Sequence, residues 1–166
     1  MLEQLFGAAL VVPDAIDRER LAGVRSRLRG FSRYSLLDRG SYEFLSDPAE
    51  PELLATVVTW AARVTGRTLA VRESRVLRLS AGDYVLAHHD RLHDDNPVEV
   101  TLDLSPASVP GAEVHYRKRG QVFLRFECVP GSLCVVERGP TVTCNHTYIS
   151  KLQTDAQVVR LVALLG

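Results

Sequence analysis

The chain has 166 residues, 46% of them hydrophobic, and its 20 basic side chains balance its 20 acidic ones. A chain of this length reads as one domain that buries about 70% of the surface its unfolded form exposes, so a core forms without disulfide or metal staples. Charge balance argues against nucleic acid as a partner, because affinity for a polyanion comes from surplus Lys and Arg. Three cysteines, none in a C-x-x-C pair, argue against a disulfide framework or a thiolate zinc site. Cys128, Cys134 and Cys144 are expected to be small buried hydrophobes in a reducing cytosol. The first ten residues carry Glu3 and no positive segment, so no signal peptide is expected. No apolar stretch approaches the roughly 20 residues that span a bilayer. The expectation is a cytoplasmic protein with no membrane partner.

Residues 8–12 form a short apolar run stopped by Pro13. Asp17 then suits the N-cap of a helix of ~12 residues ending near Gly30, with Ile16, Leu21, Val24 and Leu28 as its apolar stripe. Residues 31–46 read as an extended loop or lid holding four of the ten Phe and Tyr residues: Phe31, Tyr34, Tyr42 and Phe44. These either anchor the loop to the core or form a mobile cover over a pocket. A second helix is expected from Pro51 to Arg63, since Pro51 suits a first turn, Asp47 and Glu50 favour an N-terminus and Gly66 stops it.

From residue 74 the pattern shortens to eight strands, at about 74–80, 83–90, 98–104, 111–117, 121–127, 132–138, 141–149 and 157–164, punctuated by Gly and Pro turns. The expected architecture is mainly β (α+β). A helical and lid region, 1–73, backs an eight-stranded jelly roll, 74–166, within one domain.

His88-His89-Asp90 ends the second of these strands. A period of two puts His88 and Asp90 on one face with Tyr84 and Leu86, and turns His89 away with Val85 and Ala87. An inward carboxylate needs an ion pair or a metal. His146 falls mid-strand in 141–149 and shares its face with Val142, Cys144 and Tyr148. Arg160 interrupts the otherwise apolar strand 158–165, with Val158 and Val162 beside it. An arginine cannot neutralise itself, so there it requires a buried anion, supplied by a protein carboxylate or by a ligand.

In order, spacing and strand context, these residues resemble the pattern of iron(II)/2-oxoglutarate-dependent oxygenases. Residues 77–90, Leu-Arg-Leu-Ser-Ala-Gly-Asp-Tyr-Val-Leu-Ala-His-His-Asp, are similar to the segment leading into the H-x-D of the prolyl-hydroxylase-like branch. Residues 98–105 resemble the core strand that follows, 111–116 the G-G-x-L strand with its second glycine replaced by Ala112, and 129–136 the strand and turn before the distal histidine.

The resemblance implies a jelly roll of the double-stranded β-helix type, with His88, Asp90 and His146 as the catalytic facial triad binding iron(II). It implies 2-oxoglutarate as cosubstrate, chelating the metal through its keto oxygen and C1 carboxylate while its far carboxylate meets Arg160, with O2 at the last position. The implied outcome is succinate and carbon dioxide, coupled to hydroxylation of a C–H bond in a small-molecule or amino-acid-type substrate. Asp90 supports hydroxylation, since halogenating relatives typically have Gly or Ala there. Where the branch often places a cosubstrate-binding Tyr, this chain has Leu79. Tyr84 could supply that hydroxyl from the expected face, or be a core tyrosine. Thr101 is a further candidate whose face the sequence does not fix.

Two other classes compete. In a cupin-type isomerase or dioxygenase, Gly82, five intervening residues and His88 would begin the first motif, but a second imidazole is expected where Asp90 stands, and Arg160 has no use. A non-catalytic binding module on the same barrel would leave the triad and Arg160 unexplained. Elsewhere, His93 with Asp94 and Asp95 reads as a polar loop. His115, sharing a face with Glu113 and Arg117, reads as water-facing. Arg78 and Arg138 either line a pocket for an anion or occupy exposed strand positions. Substrate selectivity is expected from the loops 31–46, 91–97 and 105–110.

Overall fold

The computed structural model describes residues 9–88 and 95–166. Strand β1 (Ala9–Val12) ends at Pro13, and helix α1 (Arg18–Arg27) begins at Asp17, whose carboxylate accepts the Arg20 N–H at 2.8 Å. Ile16, Leu21, Val24 and Leu28 are all buried, as their spacing requires. Helix α2 (Pro51–Thr65) has proline in its first turn, ends at Gly66 in the left-handed conformation, and buries Leu53, Val57, Ala61 and Val64. Among the described residues, no helix is long and apolar enough to cross a membrane.

The segment expected to be a loop or lid is instead a β-hairpin, β2 (Ser32–Leu36) and β3 (Gly40–Ser46), built into the sheet. Its aromatics carry the pairing: Tyr34 stands opposite Tyr42 in register with the rings stacked at 5.0 Å. The signal was present as alternation of Tyr34, Tyr42 and Phe44 with polar residues on either side of Asp38-Arg39-Gly40.

The eight expected strands all form: β4 (Val71–Ser80), β5 (Tyr84–His88), β6 (Val98–Asp103), β7 (Glu113–Lys118), β8 (Gln121–Glu127), β9 (Leu133–Glu137), β10 (Val142–His146) and β11 (Gln157–Leu165). Pairing runs β1-β9-β6-β11-β4-β3-β5-β10-β7-β8, with β2 added on β3, and every pair is antiparallel. The result is a nearly closed antiparallel barrel, the double-stranded β-helix the sequence predicts, with helices on one side.

Strands β6 and β11 are buried on both faces, and the faces differ in kind. Val98, Val100, Leu102, Val159, Leu161, Ala163 and Leu165 pack with α1 and α2 in one cluster. The alternate residues, Glu99, Thr101, Asp103, Val158, Arg160 and Val162, belong to the other face, where Val158 and Val162 join Leu77, Leu79 and Val85 in a second cluster. The polar face is thus the barrel interior, and it holds the candidate site.

Candidate active site

The register between β10 and β5 sets the direction of His88. Cys144 stands opposite His88 and His146 opposite Val85, so two residues of β10 span three of β5, and β5 carries a bulge at Leu86 and Ala87. Val85 and His88 consequently line one cavity, together with Leu77. Strict alternation puts Tyr84 and Leu86 on the His88 face, and the bulge overturns that expectation. The Tyr84 hydroxyl donates to the Leu37 carbonyl at 3.0 Å, its ring lies 6.5 Å from that of Tyr148, and Leu86 is exposed. Tyr148 also leaves the expected face, because β10 ends at His146 and the Tyr148 side chain is exposed.

His146 is buried beside Cys144 and Val142, as its strand period requires. Burial holds the His88 imidazole below its ordinary pKa, with the Arg138 charge adding to the effect. Burial, followed by the Arg160 charge, holds His146 well below. Both rings are therefore neutral at pH 7, the form a metal takes. The neutral His88 ring donates Nδ1–H to the Leu86 carbonyl at 3.1 Å, which leaves Nε2 open as a ligand. In His146, Nδ1 lies 3.1 Å from Arg160 Nη1. A guanidinium only donates, so in this arrangement the ring proton sits on Nε2, and ligation through Nε2 requires it to move to Nδ1 and the Arg160 contact to open. With that rearrangement two imidazoles fit iron(II). Asp90, the expected third ligand, lies outside the described residues, as do His89, His93 and Asp94. Among the described residues, no group of three metal-ligating side chains is assembled.

Arg160 is buried on the face predicted for it, and Asp103 is a protein carboxylate beside it. The two stand in register on β11 and β6, with Nε 3.7 Å from Oδ2 and neither atom hydrogen-bonded. Arg160 Nη2 donates to the Ala112 carbonyl at 2.8 Å, and Asp103 Oδ1 accepts from the Ser105 N–H. A dicarboxylate approaching Arg160 here meets a guanidinium already engaged and a buried negative charge next to it. The far carboxylate of 2-oxoglutarate does not fit Arg160 in this arrangement.

A second buried network was not anticipated. Glu99 accepts from the Tyr116 hydroxyl at 2.9 Å and from Arg138 at 2.7 Å, and Tyr116 also meets the Thr101 hydroxyl. Arg138 is neither exposed nor a pocket cation: it is 2% exposed and donates to the His88 carbonyl at 2.7 Å, which fixes the end of β5. Arg78 pairs with Glu43 and stacks over Phe31. His115 contacts Glu113 at 2.6 Å and is half-buried. The three cysteines are free and buried, as expected, and burial pushes the Cys144 thiol up.

The cavity at His88 measures about 230 Å3 and is lined by Tyr34, Arg39, Tyr42, Arg75, Leu77 and Val85 as well. A larger groove, about 600 Å3, borders His146 and runs past Tyr84, Leu86 and Tyr148, whose side chains lie away from the His88 cavity. The smaller cavity has the chemistry: an open imidazole nitrogen, two guanidinium groups and an apolar floor.

No family model matches the chain, and no curated protein matches it. Solved structures do. An oxidoreductase of the 2OG-Fe(II) oxygenase family from Burkholderia pseudomallei superposes with a TM-score of 0.73 at 13% identity, covering 95% of this chain and 85% of that one. A prolyl-4-hydroxylase from Pseudomonas putida gives 0.71 at 15% identity over 97% and 92%. HygX from Streptomyces hygroscopicus, solved with nickel, 2-oxoglutarate and hygromycin B, gives 0.70 at 12% identity over 97% and 83%. The fold is the one these oxygenases share. That likeness carries no exclusion of nucleic acid, which rests on charge balance alone.

Proposed function

We propose that the chain is an iron(II)- and 2-oxoglutarate-dependent oxygenase, most simply a hydroxylase of a small-molecule or amino-acid-type substrate. The observation that carries this reading is the pair of neutral imidazoles, His88 and His146, on adjacent antiparallel strands of a barrel shared with such enzymes, with His88 open to a cavity. His88, Asp90 and His146 would hold the metal. When bound, iron(II) and the 2-oxo acid supply the oxidising chemistry with O2, and the 2-oxo acid leaves as succinate and carbon dioxide. The protein's part is to present neutral ligands, orient His88 through Leu86 and Arg138, and keep water from the interior through the apolar floor of Leu77 and Val85.

Under anaerobic conditions, the iron(II) protein should develop a weak visible charge-transfer band only when 2-oxoglutarate is added, and Asp90→Ala should abolish it. Absence of the band, with no succinate formed in air, refutes the reading. One observation favours a cupin-type metal enzyme instead: Asp103 gives Arg160 a partner without any cosubstrate. That alternative predicts turnover indifferent to 2-oxoglutarate.

A further inference from the structure

Four arginines around the barrel are matched to carboxylates: Arg33 to Asp83, Arg78 to Glu43, Arg138 to Glu99 and Arg160 to Asp103. The cavity at His88 holds two that are not. Among the described residues, neither Arg75 nor Arg39 has an ion-pair or side-chain hydrogen-bond partner, although both line this cavity. Arg75 stands opposite Val162 in the β4–β11 register, two residues before Leu77, so it shares the barrel-facing side with the apolar floor. Arg39 sits at the exposed rim, beside the stacked rings of Tyr34 and Tyr42. A half-buried guanidinium over apolar side chains presents five donors and no acceptor, so it is a standing receptor for a carboxylate.

We propose that Arg75, assisted by Arg39, is the carboxylate-binding group of this site, and that the carboxylate it takes is the far one of the 2-oxoglutarate cosubstrate. Arg160 remains with Asp103 and the Ala112 carbonyl, whether or not its contact to His146 opens for the metal. The identity of the ligand rests on the oxygenase reading; the existence of an anion site does not.

The experiment uses the full chain loaded with nickel(II), titrated calorimetrically with 2-oxoglutarate and with 2-oxobutyrate, which has the same chelating end and no far carboxylate. Arg75→Met should weaken 2-oxoglutarate binding by about 10- to 100-fold, the range of charge-assisted hydrogen bonds, and leave 2-oxobutyrate unchanged. Arg75→Lys should retain most of the affinity, and Arg160→Met should not alter the ratio between the two ligands. A 2-oxoglutarate-specific loss in Arg160→Met and none in Arg75→Met overturns the proposal and leaves the oxygenase reading intact. The metal-free protein titrated with glutarate should show saturable amide shifts at Leu77 and Val85 that Arg75→Met removes. If glutarate causes none in the unaltered chain, the anion site falls even if the enzyme oxygenates. If glutarate binds through Arg75 but 2-oxoglutarate affinity does not depend on it, the cosubstrate assignment falls and the site belongs to a substrate carboxylate. If glutarate binds and no succinate is ever formed, the anion site stands and the oxygenase reading falls.

Discussion

Arg160 and Asp103 face each other in the barrel with Nε and Oδ2 unbonded at 3.7 Å, so each charge is the other's main compensation for leaving water. Removing one partner of such a pair leaves the other buried and uncompensated, whereas removing both costs far less. Asp103→Ala should therefore lose about 3–5 kcal/mol of stability in urea unfolding, and Asp103→Leu combined with Arg160→Met should be clearly more stable than either single variant. Additive losses in the double variant would show that the two charges do not interact. The need of Arg160 for an anion was legible from Val158 and Val162 on either side of it. The identity of that anion was not. In strand 98–103 apolar and polar residues alternate regularly, but both faces are buried, so alternation carries no inside and outside label. The same ambiguity hid Glu99 and Thr101, and with them the role of Arg138.

At the scale of elements, the number and order of the strands from residue 74 onward were readable because glycine and proline turns punctuate them, while the bulge in β5 was not, since no Gly or Pro marks it. That single extra residue separates Tyr84 from His88 and converts a correct strand assignment into a wrong face. Tyr84→Phe should accordingly leave 2-oxoglutarate affinity within about twofold of the parent, as for a substitution away from the site. A tenfold loss in calorimetry would return the hydroxyl to the cavity. The two helices are tied by Arg27, which donates to both oxygens of Glu50 at 2.9 and 2.7 Å. These hydrogen bonds hold the Glu50 carboxyl below its ordinary value of 4.5. A folded-state pKa below the unfolded one means the pair stabilises fully above about pH 4.5 and loses its contribution as pH falls below that. Thermal midpoints of Glu50→Gln should lie below the parent at pH 7 and converge with it toward pH 3. Because Arg27 is largely exposed, high salt should narrow the gap at pH 7 as well.

Across the whole molecule, the helices pack on one face of the sheet and the chemistry lies on the other, so the segment that crosses between them must be placed accurately. That crossing is at Gly131, before β9. Its carbonyl accepts the Ile16 N–H ahead of α1, and its own N–H donates to the carbonyl of Asp103, the residue beside Arg160. One residue thus ties the helical layer to the strand that lines the interior. Gly131 has φ +85°, and a Cβ there would come within 2.4 Å of the Ile16 carbonyl oxygen, which is backbone and cannot rotate aside. Gly120, at the tip of the β7–β8 hairpin, has a similar φ of +76° but open space where its Cβ would be. The pair separates conformational strain from the loss of the crossing. Gly120→Ala should cost only the left-handed penalty, about 1 kcal/mol. Gly131→Ala should cost at least about 3 kcal/mol, since it adds a backbone clash. If the crossing also holds the interior, amide exchange in Gly131→Ala should speed up both in α1 and at the 103–105 turn, whereas Gly120→Ala should change neither. Equal losses in the two variants would mean that the helices sit on the barrel without bracing its polar face.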